Sequence, residues 1–152
     1  MLKGLSPLLT PELLKILSEM GHGDEIVLAD GNFPSEAIGK RVVRLDAHTG
    51  TDVLKAVMSV FPLDTYSDPN AMLMEVVPGD NVETPIWDEY SRIMNDSEGD
   101  KVRIGHIERF AFYDRAEKAY AVIATGETAV CESDTEKGCY CPKLTELTVT
   151  RR

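Results

Sequence analysis

Short apolar runs of strand length alternate along this chain with longer segments whose apolar residues recur every three or four positions, and this alternation limits the fold more than any other feature. Thr10 before Pro11, with Glu12 in the first turn, starts a helix: the hydroxyl can cap free amides, and proline suits the first helical position. Leu13, Leu14, Leu17 and Met20 keep to one face, and Gly21 ends the pattern. Residues 25–29 read as a buried strand between GHGD and DGNFP. A strand over 41–45 follows, then a helix over 51–61 that buries Leu54, Val57, Met58 and Phe61 and stops at Pro62. Residues 71–77 form a third strand, and Thr84-Pro85 opens a helix carrying Ile86, Tyr90, Ile93 and Met94, with NDSEGD as the loop after it. A strand over 101–107, a short helix over 109–118 and strands over 120–125 and 144–150 complete the order. This rhythm predicts a single α/β domain over residues 1–152, a three-layer α/β/α sandwich around a mixed, mostly parallel sheet.

Size and charge narrow the function. A chain of 152 residues with 43% hydrophobic content suits one core, in which about two-thirds of the unfolded surface is buried. A net charge of −10 repels phosphate backbones and anionic membrane surfaces, so neither nucleic acid nor membrane is an expected partner. The apolar runs are far shorter than the roughly 20 residues that cross a bilayer, and MLKGLSPLL lacks the apolar core of a secretory signal; the expected location is the cytoplasm. The odd count of cysteines, Cys131, Cys139 and Cys141, predicts reduced thiols; their spacing matches no standard zinc pattern, so no metal is expected.

Nucleotide-binding and serine-hydrolase motifs are missing: there is no Gly-x-Gly-x-x-Gly after a strand, no Walker loop and no Gly-x-Ser-x-Gly elbow. What remains is a polar set on turns and strand ends. His22 stands between two glycines, where a ligand can come close, and an imidazole gives and takes protons near neutral pH. The same histidine in a helix-ending turn can simply satisfy a carbonyl. Asp30 closes a strand where open α/β sheets gather ligands, or else accepts the amides of its own turn. Asp64 lies in LDTY. Arg109 and Tyr113, four apart on a helix, share a face, and a guanidinium beside a phenol makes the hydroxyl a better acid; an arginine lying over an aromatic ring with no function is the other reading. Phe110 and Phe112 are expected in the core, Trp87 as a packing anchor, and His48 and His106 in structural or exposed roles.

The strings LLTPELLKILSEMGHGDEIVLADGNFP, LDTY, TPIWDEY and ERFAFYDRAEKAYAVIATGE, in this order up to Glu127, resemble the RbsD/FucU family, and its fucose mutarotase branch most. The resemblance implies an α/β/α fold, a ring-shaped homo-oligomer, often a decamer, mutarotation of a small monosaccharide and no metal or organic cofactor. It implies His22 as proton donor, Tyr113 as a second acid/base group, and Asp30, Asp64 and Arg109 as sugar ligands. After TGE the chain departs from the branch: where a Tyr-Gly-Asn segment is usual, it carries TAVCESDTEKGCYCPK, with Cys131, Glu132 and Ser133 at about that place.

Such a reaction needs only two proton-transfer groups, one for the anomeric hydroxyl and one for the ring oxygen. L-Fucose is the expected sugar, with ribose pyranase or another mutarotase activity, a non-catalytic sugar-binding ring and a thiol or zinc protein as the other readings. A straight strand rises about 3.3 Å per residue, so His22 and Asp30 share one site only if the glycine turn folds back; otherwise they serve composite sites across a subunit boundary.

Overall fold

The computed structural model describes residues 2–76, 83–128 and 147–152. Six strands form one sheet: β1 (Glu25–Ala29), β2 (Val42–Leu45), β3 (Ala71–Met74), β4 (Ile104–Ile107), β5 (Ala121–Thr125) and β6 (Leu147–Thr150). Their order is β2-β5-β1-β6-β3-β4. Five strands run in one direction, while β6 lies antiparallel between β1 and β3, with Glu25 opposite Thr150 and Ala71 opposite Val149. β1, β3, β5 and β6 are buried almost throughout, as strands covered on both faces must be, whereas the edge strands β2 and β4 keep positions in contact with solvent.

The helices are α1 (Pro11–Glu19), α2 (Ser35–Ile38), α3 (Gly50–Met58), α4 (Pro85–Glu98) and α5 (Arg109–Lys118). Alternate strand residues face two separate cores. Ile26, Leu28, Ala121, Ile123, Leu147 and Val149 pack with Leu13, Leu17, Leu54, Val57, Tyr90 and Met94 from α1, α3 and α4. Val27, Ala29 and Val122 pack on the other face with Phe33, Phe112 and Ala116, the last two from α5. Helices on both faces of the sheet make the three layers that the sequence predicts. Among the described residues no helix is long and apolar enough to cross a membrane.

Local chemistry starts the helices. The Thr10 hydroxyl accepts the Leu13 amide at 3.2 Å, Thr49 accepts that of Asp52 at 3.2 Å, and the Glu108 carboxylate accepts those of Phe110 and Ala111 at 2.7 and 3.2 Å. Several elements differ from the sequence expectation: α3 ends at Met58 rather than at residue 61, and β4 begins at Ile104 rather than at 101. NDSEGD is not a loop: α4 continues to Glu98 and a 3-10 turn over Gly99–Lys101 follows, because Met94 is buried while the polar residues around it face water. The four-residue α2 has no counterpart in the sequence reading. Strand β3 ends at Met74, and the first residues of the expected last strand, 144–146, lie outside the described residues.

Candidate active site

The sequence-predicted site residues fall at two ends of the sheet. At the amino end of β1, Met20 ends α1, and the Gly21 amide donates to Asp24 Oδ2 at 2.7 Å. Gly23 then adopts φ of +82°, the left-handed region that favours glycine, and its amide reaches the Arg151 carbonyl at 2.9 Å. This tight turn leaves the His22 side chain 59% exposed. Its Nδ1 lies 3.9 Å from Asp64 Oδ1, beyond hydrogen-bond length, and its ring and that of Tyr66 form a T-shaped pair with 5.8 Å between centroids.

Asp64 is the buried anchor of that corner. Its amide donates to the Thr150 carbonyl at 2.9 Å, and its own carbonyl accepts the Asn70 side-chain amide at 2.7 Å. Of its carboxylate oxygens, Oδ1 accepts the Tyr66 amide at 2.9 Å and Oδ2 the Ser67 hydroxyl at 2.5 Å. The Ser67 hydroxyl, then the Tyr66 amide, hold the carboxyl below its usual range, and the neighbouring His22 adds to the effect against the opposing influence of burial.

At the carboxyl end of β1, Asp30 is buried, and its Oδ1 accepts the amides of Asn32 and Phe33 at 2.7 and 2.8 Å. This is the turn-building role of aspartate. The Phe33 ring packs on α5, forming a T-shaped pair with Tyr113 at 5.5 Å between centroids. Phe110 meets Tyr113 at 6.3 Å, ring against ring edge, and the Arg109 guanidinium lies over the Phe110 ring at 4.7 Å. Phe110, expected in the core, is 61% exposed, whereas Phe112 is fully buried: one points outward from α5 and the other into the sheet. Trp87 is partly buried against both cores, as an anchor would be, and stacks obliquely on His106 at 4.8 Å.

Asp30, Arg109 and Tyr113 thus lie towards the carboxyl ends of the parallel strands, and His22 with Asp64 at the amino end of β1. β1 alone separates the two by about 13 Å of strand rise. The glycine turn packs beside Arg151 rather than folding back along β1.

Two further residues stand beside these groups; both fall inside the strings LDTY and ATGE, but the sequence assigns neither a role. Tyr66 is 83% exposed beside His22. Glu127 is buried beside Asp30: its carbonyl accepts the Gly31 amide at 3.2 Å, while its carboxylate accepts the amides of Gly50 and Thr128 at 3.1 and 3.0 Å. Neither could be found from periodicity, because each lies in a loop whose partners are remote in sequence. Among the described residues no three His, Cys, Asp or Glu side chains cluster in a way that could hold a metal ion. Cys131, Cys139, Cys141 and the departing segment 129–133 lie outside the described residues.

Known proteins share this architecture and sequence. The chain is 50% identical over 135 residues to the human (Homo sapiens) fucose mutarotase, covering 85% of this chain and 87% of that protein. The crystal structure of FucU from Bifidobacterium longum superimposes with a TM-score of 0.85 at 49% identity, over 98% of this chain and 97% of that one. That of the Streptococcus pneumoniae fucose mutarotase in complex with L-fucose does so with a TM-score of 0.84 at 35% identity, over 99% and 97%. The model of the RbsD / FucU transport protein family matches residues 3–132, and the chain belongs to that family.

Proposed function

We propose that this protein interconverts the anomers of L-fucose by general acid/base catalysis of ring opening. The observation that carries the reading is the extent of identity with proteins named as fucose mutarotases, between 42% and 50% over 85% of this chain. The residues present suit the chemistry. A base removes the proton of the anomeric hydroxyl while an acid protonates the ring oxygen; the C1–O5 bond breaks, the open-chain aldehyde turns about C1–C2, and closure on the other face returns both protons. No electrons are exchanged with a redox partner and no covalent intermediate forms. General acid/base assistance of this kind contributes about 10²- to 10⁴-fold, or roughly 3–5 kcal/mol of barrier.

His22 and Tyr113 are the two proton-transfer groups in this reading, and Asp30 and Arg109 bind sugar hydroxyls at the carboxyl edge. Asp64 serves the site chiefly from behind, since both carboxylate oxygens already hold the turn that presents His22 and Tyr66. The strand rise of about 13 Å between the two edges exceeds the reach of one pyranose ring, which supports a site completed by a second copy of the chain: the amino edge of one subunit against the carboxyl edge of the next. Such head-to-tail contact closes into a ring, the decamer that family membership suggests, acting in the cytoplasm on a free monosaccharide and without a cofactor.

Saturation-difference NMR on L-fucose, D-ribose, galactose and rhamnose tests the activity. The expected result is anomer exchange accelerated most for L-fucose. Acceleration confined to ribose would move the assignment to a pyranase, binding without acceleration would favour a non-catalytic sugar-binding ring, and neither binding nor acceleration with any sugar would overturn the reading.

A further inference from the structure

We propose that Tyr66 determines sugar preference by forming the apolar floor of the site, on which a pyranose lays its C–H face with the C5 methyl of L-fucose against the ring. The proposal rests on the mutarotase reading and deepens it. Tyr66 is the most exposed of the large hydrophobic side chains among the described residues, at 83%. A single exposed aromatic is ordinary by itself; this one stands where the backbone has been fixed around it. Its amide is held by Asp64 Oδ1, the next residue's hydroxyl by Asp64 Oδ2, and Asp64 by Thr150 and Asn70. The ring stands 5.8 Å from the His22 imidazole at an interplanar angle of 76°. An aromatic face held next to a proton-transfer group meets both halves of a sugar's surface, the apolar C–H face and the polar rim.

The chemistry predicts discrimination by a single methyl group. D-Arabinopyranose has the ring configuration of L-fucopyranose and lacks only that methyl. Tyr66→Ala is expected to raise KM for L-fucose on the order of tenfold, with kcat much less affected, and to raise KM for D-arabinose several times less. Tyr66→Phe, which keeps the ring, is expected to recover most of the loss. Equal effects on both sugars, no effect on either, or a smaller assembly in size-exclusion chromatography of Tyr66→Ala would overturn the proposal, the last because the ring would then be a subunit contact.

Nuclear Overhauser contacts between the L-fucose methyl and the Tyr66 ring in the wild-type protein provide a readout independent of catalysis. Contacts without accelerated exchange would sustain the floor and remove the mutarotase reading. Exchange without contacts would do the reverse.

Discussion

If each site takes His22 from one subunit and Tyr113 from another, two inactive variants must rescue each other. His22→Ala removes the group at the amino edge and Tyr113→Phe the one at the carboxyl edge; each alone is expected to lose about 10²-fold or more of its anomer exchange. The rise of about 13 Å along β1 is the ground for expecting the two groups of one site to come from different subunits. In a mixed assembly formed by co-expression at equal levels, a site is intact only when one neighbour retains His22 and the other retains Tyr113. With random assortment in a head-to-tail ring, that happens at about a quarter of the sites. Exchange rates measured on mixed rings isolated through two different affinity tags should therefore return to about 25% of wild type, far above either parent. Mixed rings as inactive as their parents would refute the composite site and return both groups to one chain.

Two other expectations follow from the described geometry. A β-carbon added at Gly126 would land on the Asp46 carbonyl oxygen, a backbone atom that cannot swing aside, so Gly126→Ala should lower stability by about 1–3 kcal/mol or more in urea unfolding; an unchanged midpoint would contradict that packing. Asp64→Asn should be less stable than wild type at neutral pH. Because the folded carboxyl titrates below its unfolded value of about 3.9, the stability it contributes is complete above that value and is lost as pH falls through the folded one. The gap between the two proteins should thus be present at neutral pH and close as the solution is made acid, and a gap that widens below about pH 4 would contradict the assignment.

Much of the architecture was legible because the chain marks its own boundaries. β1 and α5 have the expected bounds, since GHGD and DGNFP bracket the one and Glu108 caps the other. The polar string NDSEGD misled for a physical reason: an exposed helix face and a loop have the same composition, and only the burial of Met94 distinguishes them. The insertion of β6 between β1 and β3 could not be read at all, because antiparallel and parallel central strands are equally apolar. Among the candidate residues, the glycine-flanked His22 and the strand-ending Asp30 stand out in the sequence, and Arg109 lies over the Phe110 ring, an arrangement that the sequence left open beside a pairing with Tyr113. Helical spacing fixes which residues share a face and leaves the direction of a long side chain open. Tyr66 and Glu127 lie within quoted strings, but their places beside His22 and Gly50 rest on contacts with residues distant in the chain.

The most direct measurement is anomer exchange of L-fucose by wild type and His22→Ala under matched conditions, with assembly size checked for both. The proposed chemistry requires exchange in the wild type that falls about 10²- to 10⁴-fold in the variant while the assembly stays intact. Exchange in His22→Ala at the wild-type rate would contradict it.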